Sequence, residues 1–182
     1  MSDNEKRIVV IAMDGSPYSD YAFDWYVENA KKANDEVIIA TCLDNHGCTA
    51  YMSKHLTSDE IKNQLQQDID MHAALEGHLQ LKMTNSGVKG SIFSCFGKPG
   101  EAIVHAARDK NASIIICGSR GHGTIRRTLM GSVSSYVVHH SHIPTIVCRH
   151  KDHHQHHYHD HNQPHNVVTE SSKDEKILLS EH

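Results

Sequence analysis

Five short apolar runs, residues 7–13, 36–43, 88–96, 113–117 and 144–149, alternate along this chain with stretches whose apolar residues recur every three or four positions. The first run, Arg-Ile-Val-Val-Ile-Ala-Met, is almost continuously apolar, as a central parallel strand covered on both faces must be. Ala22, Trp25, Tyr26 and Ala30 mark a buried helix face over residues 17–33. Ile61, Leu65, Ile69, His72, Leu75 and Leu79 mark a second, longer face that reaches Thr84. Strands in alternation with helices require right-handed crossovers, and these build one parallel sheet with helices on both faces. The expected fold is therefore α/β, an open five-stranded parallel sheet of Rossmann-like type.

The element ends carry their own chemistry. Ser16 is a suitable N-cap with Pro17 at the first helical position. Thr57-Ser58-Asp59-Glu60 is a capping box, and Asn85-Ser86-Gly87 stops the helix it opens. Gly97-Lys98-Pro99-Gly100 turns into a short helix through Arg108 that presents Ile103, Ala106 and Ala107 inward. A further helix is expected over residues 132–141, where His139, His140 and His142 suit the negative end of the dipole. Pro144 then opens a strand of the outer kind, since proline cannot donate to an interior ladder.

The most informative stretch is Cys117-Gly118-Ser119-Arg120-Gly121, the nine residues after it, and then Gly131-Ser132. A strand delivers the chain to a glycine-lined loop that opens a helix. Glycine has no Cβ to block close approach, and a helix start offers unpaired N–H groups, so this is a place to hold an anion. The dipole gives a negative group there about 0.3–1 kcal/mol, or about 2 kcal/mol when partly buried. Micromolar affinity needs about 8 kcal/mol, so a base or sugar pocket must supply the rest. Arg120, Arg126 and Arg127 surround the loop with guanidinium groups suited to phosphate oxygens, and His122 lies within it. Two other phosphate motifs fail: between Gly90 and Gly97-Lys98 the spacing is too long for a P-loop and Pro99 replaces its hydroxyl, and Arg126 stands where a dinucleotide fingerprint has its third glycine.

The spacing Gly118, two residues, Gly121, nine residues, Gly131, Ser132 resembles that of the ATP-binding branch of the universal stress protein family, and the resemblance extends from Lys6 to Arg149. It implies strand order 3-2-1-4-5, with the switch point between the first and fourth strands. Ligands of open α/β sheets sit outside the carboxyl ends of the strands at such a point, here at Asp14 and Gly118. Position by position, it implies that Ala12 and Asp14 lie against adenosine and that the backbone of Cys42, at the end of strand two where the family usually has Val, pairs with the adenine edge. Gly118, Arg120, Gly121, Gly131, Ser132 and Val133 would embrace the phosphates of ATP, with Mg2+ as a possible companion ion. Asp14 before Gly-Ser-Pro also suits a simple turn. The resemblance further implies a stress-response sensor or adaptor and a homodimer joined through the last strand.

Catalysis is not demanded by these residues. There is no Walker-type Lys, no pair of metal carboxylates after the loop and no poised glutamine or glutamate, so the expectation is binding with at most slow hydrolysis. The enzyme alternative is an ATPase or adenylyl-transferring member of the same superfamily. It would need a Ser-Gly-Gly loop that Met13-Asp14-Gly15-Ser16 lacks.

At 182 residues the chain suits one domain, residues 1–149, and a tail, residues 150–182. A net charge of −4 gives no broad field for nucleic acid or an anionic membrane. The five cysteines, at 42, 48, 95, 117 and 148, form neither CxxC pairs nor a dense disulfide framework, which favours reduced thiols and a cytoplasmic location. A leader is not expected, since residues 1–7 are polar and a strand follows, and residues 1–182 contain no apolar stretch of about 18. The tail crowds His150, His153, His154, His156, His157, His159, His161 and His165 into a segment with almost nothing for a core, and disorder is expected there. Its imidazoles suit zinc, nickel or copper, with His153, His154, His156 and His157 as the candidate ligands, or a response to mild acid. A metal-handling protein run by this tail is the third reading.

Overall fold

The structure, a computed structural model, describes residues 6–44, 57–121 and 130–150. The strands are β1 (Arg7–Ala12), β2 (Asp35–Asp44), β3 (Gly90–Gly97), β4 (Ile114–Gly118) and β5 (Thr145–Cys148). Between them run α1 (Pro17–Asn29), α2 (Ser58–Asn85), α3 (Pro99–Asp109) and α4 (Ser132–His140). The sheet is parallel throughout, in the order β3-β2-β1-β4-β5, as expected.

Residue parity along the strands divides the interior into two cores. Val9, Ile11, Val37, Ile39 and Ile116 point to the face covered by Ala22, Phe23 and Tyr26 of α1 and Leu79 and Met83 of α2. Val10, Ala12, Ile38, Ala40, Ile115 and Cys117 point to the other face, against Ile103 and Ala107 of α3 and Val137 of α4. This explains why β1 reads as an unbroken apolar run: each face has its own helical cover.

The element ends follow the local chemistry. Ser16 accepts the Ser19 N–H at 3.3 Å and Pro17 fills the first helical position. Helix α1 stops earlier than residue 33 because the chain is captured by a polar cluster: Arg7 Nη2 donates to the Ala30 carbonyl at 2.7 Å, and the Lys32 N–H donates to Asp35 Oδ2 at 2.8 Å. The capping box of α2 is complete, with Thr57 N–H donating to Glu60 Oε2 at 2.8 Å and Glu60 N–H to Thr57 Oγ1 at 3.3 Å. These bonds hold the Glu60 carboxyl below its usual range. At the end of α4, Nδ1 of His139 and His140 lies 2.7 and 2.9 Å from the carbonyls of Ser135 and Tyr136.

The long stripe of α2 behaves differently from its pattern. Only Leu79 and Met83 are buried, whereas Leu65 and Ile69 remain 43% and 46% exposed. A helix of 28 residues is about 42 Å long, while β2, of 10 residues, spans about 33 Å. The amino-terminal part of α2 therefore outruns the sheet it covers.

Candidate functional site

The switch point lies where β1 and β4 diverge to opposite crossovers. The β1–β2 ladder ends as Met13 N–H donates to the Ala40 carbonyl at 2.9 Å. The chain then turns at Gly15, whose φ of +79° suits glycine, and Asp14 Oδ1 shapes that turn by accepting the Ser16 N–H at 3.0 Å. The turn role expected of Asp14 is thus present, and its second oxygen faces the β4 side. A Cβ on Gly121 would sit 2.3 Å from Asp14 Oδ2, so the loops leaving β1 and β4 meet across the switch point.

The three loop glycines have different reasons to be glycine. At Gly118 a Cβ would lie 2.6 Å from the Tyr18 carbonyl oxygen, so the first turn of α1 is seated on bare β4 backbone. That is a packing requirement, which the spacing alone reads as phosphate access. At Gly121 the neighbour is the far end of an exposed carboxylate. At Gly131 the nearest atoms among the described residues, Arg120 Cα and the Ser119 carbonyl oxygen, are 3.4 Å from the missing Cβ, which is ordinary contact, and φ is −75°. Neither backbone conformation nor packing among the described residues demands glycine at 131.

The far end of the loop is tied back to β4. The Ser119 carbonyl accepts the Gly131 N–H at 2.7 Å and the Ser134 hydroxyl at 3.1 Å, while Ser119 N–H donates to the Cys148 carbonyl at 2.8 Å. Gly131 is the N-cap of α4 and offers no side chain to the N–H groups of the first turn. Ser132 is the first helical residue rather than the cap, and it is exposed. Val133 packs against the second core and anchors the helix start. Arg120 is half-buried at the loop entrance.

On the β2 side, Ala12 is buried in register with Ala40 and Cys117. Cys42 is two residues inside β2 rather than at its end, because β3 extends the ladder to Asp44↔Gly97. Since the Ala40 carbonyl points to β1, the two-residue repeat turns the Cys42 N–H and C=O the same way, past the end of β1. One feature escaped the sequence reading: Thr41, 1% exposed, has a buried Oγ1 with no hydrogen-bond partner among the described atoms. Its signal was a lone hydroxyl inside the apolar run Val37–Leu43.

A separate depression of about 150 Å³ lies at the opposite end of the sheet, lined by Tyr26, Lys31, Lys32, Asp35, Val88 and Lys89 among others. Its central groups are engaged with one another. Arg7 Nε and Nη2 donate to the two Asp35 oxygens at 2.6 and 2.7 Å, and Tyr26 Oη donates to Asp35 Oδ2 at 2.8 Å. Burial alone would push the Asp35 carboxyl up; the bonds from Arg7, Lys32 N–H and Tyr26, with the Arg7 charge, outweigh it and hold the carboxyl below its usual range. This cluster fastens β1, β2 and α1 together, and it sits at the amino ends of the strands, away from the switch point.

His122, Arg126 and Arg127, and the tail histidines His153, His154, His156 and His157, lie outside the described residues. Among the described residues no group of three or more His, Cys, Asp or Glu converges as for a metal ion, and no helix is long and apolar enough to cross a membrane.

Comparison with known proteins converges on one family. The model of the universal stress protein family matches residues 6–149. The universal stress protein YxiE of Bacillus subtilis is 28% identical over 148 residues, covering 78% of this chain and 97% of that one. Among solved structures, the universal stress protein UspA from Lactobacillus plantarum superposes with a TM-score of 0.65 at 19% identity, over 80% of this chain and 100% of that one. A universal stress protein family protein from Arabidopsis thaliana, solved with AMP bound, superposes with a TM-score of 0.58 at 16% identity, over 80% and 94%.

Proposed function

Because the chain belongs to the universal stress protein family, we propose that it binds an adenine nucleotide, ATP, in the crevice at the carboxyl ends of β1 and β4, and that occupancy of this site is its signal as a stress-response sensor or adaptor. The observation that carries this reading is Gly131. A glycine that neither φ nor packing among the described residues requires stands at the start of α4, which has no side-chain cap there, beside Ser119 and Arg120. Its bare backbone suits a phosphate, which the first-turn N–H groups of Ser132 and Val133 would receive. Asp14 would accept from the ribose or base, Ala12 leaves room for adenosine, and the Cys42 backbone would meet the adenine edge. Thr41 Oγ1 is a further polar group at the same strand ends. The AMP bound to the Arabidopsis relative supports the same ligand class.

Binding with at most slow hydrolysis follows from the side chains present, with Asp14 the single carboxylate proposed near the nucleotide. Residence of the nucleotide would then stabilise one state of the protein by mass action, about 2.7 kcal/mol at a hundredfold excess over Kd. A homodimer through β5 is part of the reading, since β5 is an edge strand that pairs only with β4 among the described residues.

Mass spectrometry of the small molecules released from purified protein tests the ligand, with calorimetric titration of ATP beside it. The expected result is an adenine nucleotide in the wild type and its loss in Gly131→Val and Asp14→Ala, both still folded. Wild type without adenine nucleotide and without heat on ATP addition overturns the proposal.

A further inference from the structure

The described cysteines fall into two unlike pairs. Cys117 and Cys148 are buried, and burial pushes their thiols up to about 12 and about 11, so they act as small core hydrophobes. Cys42 and Cys95 are half-buried and stand opposite one another as register partners in the adjacent strands β2 and β3. Their parity is that of Ala40 and Phe93, so both side chains project on the face of α3. Neighbouring strands lie about 4.7–4.9 Å apart, inside the span of about 4.4–6.8 Å that a disulfide bridges between Cα atoms. The two thiols are reduced and hydrogen-bonded into the same strand ends, Cys95 Sγ to the Thr41 carbonyl at 3.2 Å and Cys42 Sγ to the Gly97 carbonyl at 3.5 Å.

We propose that Cys42 and Cys95 form an oxidisable dithiol, a modification site at which a hydroperoxide converts the two thiols into a reversible disulfide across β2 and β3. The Cys42 thiol is a hydrogen-bond neighbour of the Cys95 sulfur and draws the Cys95 thiol below its ordinary value against the opposing effect of burial, and Cys95 is taken as the attacking partner. Its thiolate attacks the terminal oxygen of the hydroperoxide; the O–O bond breaks, the sulfenic acid forms and the alcohol, or water, departs with a proton. The Cys42 sulfur then attacks the sulfenic sulfur; the S–S bond forms, the S–O bond breaks and water leaves with the Cys42 proton. The two thiols are oxidised by two electrons and the peroxide is reduced by two. A bridge between directly adjacent strands is confined in geometry, which is the character of labile, readily reduced disulfides. The proposal does not depend on nucleotide binding.

Full-length protein treated with hydrogen peroxide at low molar excess, then digested without reductant and analysed by mass spectrometry, tests it. The expected result is loss of two of the five thiols, a linked peptide pair joining Cys42 to Cys95, and full recovery on addition of dithiothreitol. Cys42→Ser should leave Cys95 as a trappable sulfenic acid. Cys95→Ser should slow peroxide consumption severalfold, and Cys48→Ser should retain the bridge. A bridge from Cys48 to either residue, or oxidation of Cys95 to sulfinic acid in the wild type with no 42–95 linkage, overturns the assignment.

Discussion

Gly118 and Gly131 look equivalent in a spaced motif and are not equivalent in three dimensions. The side-chain volume absent at 118 is filled by the Tyr18 carbonyl, a backbone group that cannot yield cheaply, whereas at 131 no atom of the described residues comes nearer than 3.4 Å. Gly118→Ala should therefore cost about 1–3 kcal/mol as an overpacked site. Gly131→Ala should cost less, about 0.5–1 kcal/mol, the loss expected when alanine replaces glycine at an N-cap. Thermal denaturation of the two variants side by side checks this, and equal losses would contradict the assignment of separate roles. A sequence records that a side chain is missing without recording what occupies its place, so the anion loop was legible as a loop while the division of labour within it was not. Thr41 was overlooked for the same reason, since whether a hydroxyl in an apolar strand has a partner depends on neighbours supplied by other elements.

The helices and strands were legible because each carries its own period and its own caps. The unbroken apolar run of β1 marked a strand covered on both faces, and Thr57 with Glu60 marked the start of α2. What the period could not convey is how much sheet lies beneath a helix, and α2 is the instance. Its apolar stripe continues past the region where β2 and β3 can receive it, leaving Leu65 and Ile69 partly in water. Leu79→Ala, at a fully covered position, should cost about 2–5 kcal/mol in chemical denaturation. Leu65→Ala should stay within about 0.5 kcal/mol. Amide exchange is expected to follow the same division, faster from Ser58 to Ile69 than from Leu79 to Asn85. Uniform protection along the helix would show that the whole stripe is covered.

At the scale of the molecule, the strand order was available from family resemblance rather than patterning, since nothing in an apolar run states which neighbour it will pair with. Stability across the sheet's amino end depends on the Arg7–Asp35–Tyr26 cluster, which joins two central strands to α1. The Asp35 carboxyl is held below its ordinary 3.8 in the folded state. The sign follows: its contribution is fully present above the unfolded value and is lost as pH falls through the lower folded value. Denaturation midpoints should drop as pH falls below about 4, and Asp35→Asn should flatten that drop while costing about 1.5–3 kcal/mol at neutral pH. A variant that keeps the wild-type acid slope would assign the slope to other carboxylates.

Thr41 and Cys42 are consecutive residues of β2, so their side chains leave the strand on opposite faces, the hydroxyl, without a partner among the described residues, towards α1 and α2 and the thiol towards α3. A strand wedged between two close-packed layers has no slack with which to absorb a local twist. Tightening the thiol side by one covalent bond must therefore rotate the peptide that joins them, and a chemical event on one surface of the sheet becomes a mechanical one on the other.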